Sequence, residues 1–467
     1  MRACACMPTL TPLKSPADAL CWVAPPAENP ELTSEDPLAL DYVSQQVGLW
    51  GLPTLTTRSS RAQAYAMVLY GLQLVERAIE HHSYPATDEV RRELFERWER
   101  FWALATLEFR EGQLPRGDWD SMRGVRGARN AWRSGASSLP LDFQLISRQQ
   151  ELGNLGAYLA PLRRSGLVIE GSLRPGPGAL ALIDAFWDEP SENKHRGRYE
   201  EYALVALDRK STSIARVHGR LTLAQVGRFS RLSSLVERGR TAQQHRLFEA
   251  LFVHARDPHS FAMSQLVESA AKAGVAAPRD ILDAALAGRL GRLSDELLAL
   301  LLTARRFGEV MQGLVGAFDR VYSCLDGAGW VAPRERIGRE ALDAETLGAL
   351  KGACAALLSS PRVGAIRRLP MHGAAFLRLV EALVDADSLA ALDLLLLYHS
   401  NVQRERRRGE GWIRNEAGKL VLIVTSYTAR PESARFPSFK LDVVRTLLTD
   451  LGRLPMSREL DVLEGAA

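Results

Sequence analysis

Residues 152–190 read LGNLGAYLAPLRRSGLVIEGSLRPGPGALALIDAFWDEP, and the order of elements in them decides how the fold is read. Leu155, Leu159 and Leu162 recur at helical spacing and predict a helix over 155–164 that ends in the pair Arg163 and Arg164. Pro161 counts against a straight helix, because it lacks an N–H and crowds the turn before it. Leu167 then opens a short apolar strand, Glu170 and Gly171 mark the tip of a ribbon with Arg174 beside it, and GALALIDAF returns to a helical period. Helix, ribbon and returning helix is the order of a winged helix, in which a recognition helix precedes a wing. LPLDFQLISRQQELG supplies one preceding helix but no clear helix-turn-helix. The plainer alternative is a helical core that carries a hairpin.

Outward from this stretch the chain divides by its punctuation. Residues 1–32 are Pro-rich and without a period, and read as an extended tail. Residues 33–138 read as an N-terminal helical domain with three helices: one capped by Thr33 or Ser34, one from Arg61 to His82, and TDEVRRELFERWERFWALATLEFR. Its Arg-rich loop spaces Arg123, Arg126, Arg129 and Arg133 three or four residues apart, which makes one positive stripe if the segment is helical; Gly124 and Gly127 weaken that helix. Residues 139–190 form the winged-helix-like module. SENKHRGRYEEYALVALDRKSTSIARVHGRL reads as a polar connector, and residues 191–398 as a central helical domain whose main break is AFDRVYSCLDGAGWVAPRERIG. Residues 399–467 change to a β-hairpin, GWIRN and KLVLIVTSY about a Glu-Ala-Gly turn, followed by a helix that stops at Gly452. The fold class is mainly α: a multidomain helical protein with an embedded winged-helix-like module and a small C-terminal α+β segment.

The length, 467 residues, exceeds one compact core. A 46% hydrophobic and 24% charged composition is that of a folded globular chain, and a net charge of +4 is far below that of a protein that coats nucleic acid. Anion binding must therefore come from a local patch. The five cysteines, Cys4, Cys6, Cys21, Cys324 and Cys354, are odd in number and give no disulfide framework or zinc spacing. Pro8, Pro12 and Lys14 interrupt any signal-peptide core, and the runs ELLALLLTA and LAALDLLLLY are too short for a membrane span. These features predict a soluble cytoplasmic protein with no membrane partner.

Catalytic patterns are missing. His254 and His259 are not four apart and have no Glu between them, no phosphate-binding Gly-Lys loop occurs, and Gly-x-Ser-x-Gly is absent. Asp188 with Glu192, Asn193 and Lys194 has the letters of an Asp…Glu-x-Lys nuclease, but on a polar loop where such a site needs strands. No cofactor or metal is expected. Two groups of cations are candidates instead: Arg163, Arg164 and Arg174 on helix and wing together with the Arg123–Arg133 stripe, and Arg404, Arg406, Arg407 and Arg408 in QRERRRGEGW. The first group suits DNA phosphates, the second phosphates or an acidic partner surface. A solvated face is the plainer reading of each.

Four stretches carry a resemblance: LWGLPTLTTRSSRAQAYAMVLYGL, GVRGARNAW, YLAPLRRSGLV and RFPSFKLDVVRTLLTDLGRL. In them the chain resembles a group of helical and winged-helix proteins of bacterial anti-phage defence islands. That group has a segment Pro-Gly-(Ile/Leu)-Thr-x-x-(Thr/Ser)-x-Arg with a Tyr soon after. Gly51, Leu52, Thr56 and Arg58 fall near it and Tyr65 follows, whereas Trp50 and Pro53 depart from it. The resemblance covers about a third of the chain and implies a non-catalytic component of a multi-gene system. The expectation is a DNA-binding or adaptor subunit that contacts double-stranded DNA and works with other protein subunits. The alternatives are a protein-interaction scaffold without DNA contact and a cryptic metal-dependent nuclease.

Overall fold

The computed structural model describes residues 36–112, 122–135, 137–187, 194–230, 241–255, 257–406 and 409–455. These residues are mainly helical with a few small sheets. In chain order the helices are α1 (Leu40–Gly51), α2 (Ala62–His82), α3 (Asp88–Phe109), α4 (Val125–Ser134), α5 (Gln149–Leu152), α6 (Asn154–Arg164), α7 (Leu180–Asp184), α8 (Arg196–Leu207), α9 (Leu223–Ser230), α10 (Thr241–Phe248), α11 (Ser260–Lys272), α12 (Pro278–Leu286), α13 (Asp295–Gly327), α14 (Arg334–Ala341), α15 (Ala344–Leu358), α16 (Val363–Arg367), α17 (Gly373–Leu383), α18 (Ser388–Glu405) and α19 (Leu441–Asp450). The strands are β1 (Ser138–Pro140), β2 (Ser213–Ala215), β3 (Val217–His218), β4 (Leu221–Thr222), β5 (Val331–Pro333), β6 (Ile413–Glu416) and β7 (Lys419–Leu422). The described residues group into two compact units, each assembled from distant segments: those of 36–50 with 277–439, and those of 51–276 with 440–455.

In the first unit α13 is the spine. Ser294 caps it by accepting from Leu297 N–H, and Asp295 and Glu296 fill its first turn, where negative charge suits the helix dipole. The sequence predicts a break over residues 317–338, yet the helix continues to Gly327. The reason is that Phe318, Val321, Tyr322 and Leu325 extend the buried stripe through that segment, and the left-handed Gly329 comes only after it. The predicted hairpin is β6–β7, turning at Ala417 and Gly418, and it gains β5 as a third antiparallel strand in the order β5–β7–β6. Asp36 accepts from Leu40 N–H at 3.1 Å and Asp41 N–H at 3.0 Å, so Asp36 supplies the cap at the start of α1. Thr33 and Ser34, the expected caps, lie outside the described residues. His399 bonds Pro37 O through Nδ1 at 2.8 Å and accepts Trp412 N–H on Nε2 at 2.9 Å. These bonds make it a neutral donor-acceptor bridge, and burial holds its pKa down at about 4.

In the second unit α2 is buried nearly all round and packs against α3, α6 and α8. Thr87 caps α3, whose Phe95, Trp98, Phe101 and Trp102 are buried. Tyr70 of α2 stacks on Phe186 with centroids 4.4 Å apart, and Trp98, Trp187 and Tyr199 close the aromatic cluster edge-on. Tyr199, which belongs to the segment read as a polar connector, sits on α8, a core element. Its charges hide this: Glu200 is buried where it accepts from Tyr70 Oη at 3.2 Å and pairs with Arg77 and Arg196, while Tyr202, Ala203 and Leu207 face inward. Helix α9 lies across α3 at Gly227, where a Cβ would stand 1.8 Å from Ala105 O. Helix α19 packs on α2 and α11 and stops at Gly452, as the sequence predicts.

Candidate nucleic-acid interface

The opening stretch forms helix, hairpin and helix. Helix α6 includes Pro161 and ends at Arg164. Val168 bridges Pro175, Ile169 N–H bonds Arg174 O at 3.0 Å, and Gly176 N–H bonds Leu167 O at 2.8 Å, which makes a hairpin about Glu170 and the left-handed Gly171. Pro177–Ala179 and α7 then return to the unit's interior through Leu182 and Ile183. The preceding strand β1 pairs with β2, not with this hairpin.

A buried carboxylate positions α6. Glu99 of α3, 1% exposed, accepts from Asn154 N–H at 2.7 Å and Gln149 Nε2 at 2.9 Å. It thereby caps the start of α6 from another helix. Burial without a facing cation raises its pKa to about 7 against those two bonds. A raised carboxyl pKa means that the folded chain keeps a proton the unfolded chain has released. This group's contribution is therefore most favourable below about 4.5 and declines, by about 3 kcal/mol in all, as pH rises to about 7. The opening free energy of α6, read by amide exchange, is expected to fall between pH 5 and 7.5 in the parent and to fall much less in Glu99→Gln; equal declines would refute this assignment.

Segment 52–61 meets both ends of α6. Arg164 donates to Pro53 O at 3.2 Å and buried Lys440 to Leu52 O at 3.0 Å. At the other end Arg123 donates to Arg58 O at 2.7 Å and Leu152 O at 3.3 Å, and Arg58 reaches Glu151 O at 3.4 Å. Between them Tyr158 Oη of α6 accepts from Arg61 N–H at 3.1 Å. Asp450 of α19 accepts from Ala62 N–H at 3.0 Å and pairs with Arg61 at 3.2 Å. Burial, with Arg164 nearby, lowers the Lys440 pKa to about 7.

The remaining predicted cations fall in different settings. Arg126 and Arg133 are exposed on α4, seven residues apart and so on one face, and Arg129 is half-buried. Gly127, which weakened the helix on paper, is needed there, since a Cβ would stand 2.4 Å from Leu145 O. Arg163 holds the hairpin by donating to Ser172 O at 2.7 Å, and Arg174 is exposed with Glu76 at 3.6 Å. Arg406 is spent on Asp36, at 3.3 Å, and on its carbonyl at 2.9 Å. Arg404 is exposed on α18; Arg407 and Arg408 lie outside the described residues. So do Asp188, Glu192 and Asn193 of the nuclease pattern, and Cys4, Cys6 and Cys21. Among the described residues no group of three or more His, Cys, Asp or Glu could hold a metal ion, and no helix is long and apolar enough to cross a membrane.

Sequence reasoning did not single out Lys440, Arg61 or Asp450, and it marked Arg58 only through the resemblance. Their partners are up to 388 positions away, so no local pattern reports them. No family model, no curated protein and no solved structure matches this chain.

Proposed function

We propose that the second unit binds double-stranded DNA through its phosphates without catalysis. In keeping with the defence-island resemblance, the chain would serve as a DNA-binding or adaptor component of a bacterial multi-protein system. The observation that carries this reading is the cluster around segment 52–61, where the hydrogen bonds of Arg58, Arg123 and Arg164 end on backbone carbonyls. A carbonyl satisfies a donor but brings no net charge, so these guanidiniums are oriented yet have no carboxylate partner among the described residues, while Asp450 answers Arg61. Arg126 and Arg133 add exposed charge on α4 of the same unit.

In the proposed winged-helix-like module, residues 139–190, α6 takes the place of the recognition helix and the hairpin that of the wing. The outward positions of α6 are Ala160 and Arg164, with Gly156, Leu159 and Arg163 half-exposed. Apart from its arginines, whose bonds to backbone carbonyls hold them at the end of the helix, that face offers no polar group to a base edge, so binding is expected to be independent of sequence. The Arg58→Ala/Arg164→Ala double variant is expected to weaken binding of a labelled duplex about tenfold or more at 50 mM salt and to reduce the salt slope by about 2. Undiminished binding by the folded variant would refute the role of the cluster.

A second reading, docking on a partner subunit, draws on two exposed apolar side chains: Ile169 of the hairpin, 42% exposed, and Leu180 of α7, 56% exposed. Absence of DNA binding by the folded parent would favour it.

A further inference from the structure

Strand β6 is an outer strand of the β5–β7–β6 sheet, and its pairing fixes which backbone groups it uses. Ile423 N–H bonds Trp412 O at 2.7 Å, so Trp412 and Ile423 are a hydrogen-bonded pair. Antiparallel alternation then makes Arg414–Val421 and Glu416–Lys419 hydrogen-bonded pairs too, and turns the N–H and C=O groups of Ile413 and Asn415 away from β7. Leu422 N–H follows the same alternation, bonding Trp330 O at 2.8 Å on the opposite side. Ile413 and Asn415 have no backbone partner on their outer side among the described residues.

A groove of about 410 Å³ runs beside this edge. All four residues of β6 line it. Successive strand side chains point to opposite faces, so a groove that touches four in a row follows the edge and not one face. The facing wall is α18, which contributes Leu396, Leu397, Ser400 and Arg404 from one side of the helix. Leu397 is 57% exposed there. Asp393 is ion-paired with Arg334 and Glu410 with Arg414, whereas Arg404 has no carboxylate partner and Glu416, at the far end of β6, no cation partner among the described residues.

We propose that this groove takes an extended peptide of a partner protein, added to β6 as a further strand, with an apolar side chain against Leu397 and a carboxylate against Arg404. The outward amide and carbonyl of the exposed Asn415 supply the main-chain bonds, Ile413 beside it being buried, and the two side-chain contacts supply specificity. Leu397 and Arg404 are about 10 Å apart along the helix axis. A bound strand places same-face side chains about 7 or 14 Å apart, within the reach of an arginine, so the apolar and acidic residues of the partner are two or four positions apart. This site is in the first unit and does not depend on DNA binding by the second.

The test is selection of displayed random 12-residue peptides on the full-length protein, with the exposed-site variant Leu397→Glu for counter-selection. Enriched synthetic peptides are expected to carry an acidic residue two or four positions from an apolar one. They should protect the amide of residue 415 from exchange and bind Leu397→Glu and Arg404→Glu about tenfold more weakly. Arg404→Glu should in turn select basic residues at the acidic position. Asn415→Pro removes an outward N–H and leaves the ladder to β7 intact, so it should abolish binding while residues 419–422 keep their protection; should it misfold, the Arg404→Glu reversal decides. No enrichment over Leu397→Glu, or protection elsewhere in the chain, would overturn the proposal. Protection of the same amide on raising protein concentration alone, with a dimer mass, would assign the edge to a second copy and equally overturn it.

Discussion

Gly227→Ala is expected to destabilise the second unit by roughly 2–3 kcal/mol, although alanine improves an ordinary helix by about 1 kcal/mol. The added methyl would stand 1.8 Å from Ala105 O and 2.7 Å from Phe109 Cβ. A flexible side-chain end could swing aside, but Ala105 O belongs to the hydrogen-bonded backbone of α3, so α9 must lift away from the helix it crosses. The lift also unseats Leu223 and Val226, both fully buried. Urea unfolding followed by amide exchange in α3 and α9 checks this. A variant as stable as the parent would mean that the two helices do not touch at this glycine.

The second large effect is expected in the first unit. Asp319, 2% exposed on α13, accepts from Tyr427 Oη at 2.7 Å and Arg435 Nε at 3.0 Å. Asp319→Ala leaves a guanidinium and a phenol facing a void, and the loss of one partner of a buried pair costs about 3–5 kcal/mol. Asp319→Asn keeps the volume and one acceptor for Tyr427, and should cost distinctly less than the alanine variant. Exchange protection of the segment around Tyr427 is the readout, since these bonds tie it to α13. Equal losses in the two variants would show that the charge on Asp319 contributes nothing to the pairing.

What the sequence reveals follows from what is local. The α6 helix, the hairpin tip at Glu170 and Gly171, the β6–β7 turn and the stop at Gly452 each depend on neighbours within a few positions, and each is legible. Helix α8 is not, because Glu200 counts as a surface residue until Tyr70, Arg77 and Arg196 are seen around it. The length of α13 is not legible either, because Gly327, Gly329 and Pro333 punctuate the sequence there, while Phe318, Val321, Tyr322 and Leu325 keep the buried side of the helix going to Gly327. The cation cluster was half visible: the arginines of α6 and α4 are a pattern in the chain, whereas segment 52–61 and Lys440 join them only through folding. The same limit applies to roles. Arg163, Arg164 and Arg406 look alike as letters, yet one braces a hairpin, one lies exposed at the end of α6 and one closes on Asp36.

The proposed DNA binding by the second unit rests on arginines that have no carboxylate partner among the described residues. Anisotropy of a labelled duplex of arbitrary sequence, titrated with the full-length protein from 50 to 200 mM salt, tests it most directly. With three to five phosphates contacted, the logarithm of the binding constant is predicted to fall against the logarithm of salt with a slope of about −3 to −5, unchanged when the duplex sequence is scrambled. A folded protein that binds no duplex at 50 mM salt, or binds with a slope near zero, would rule out phosphate binding by these arginines.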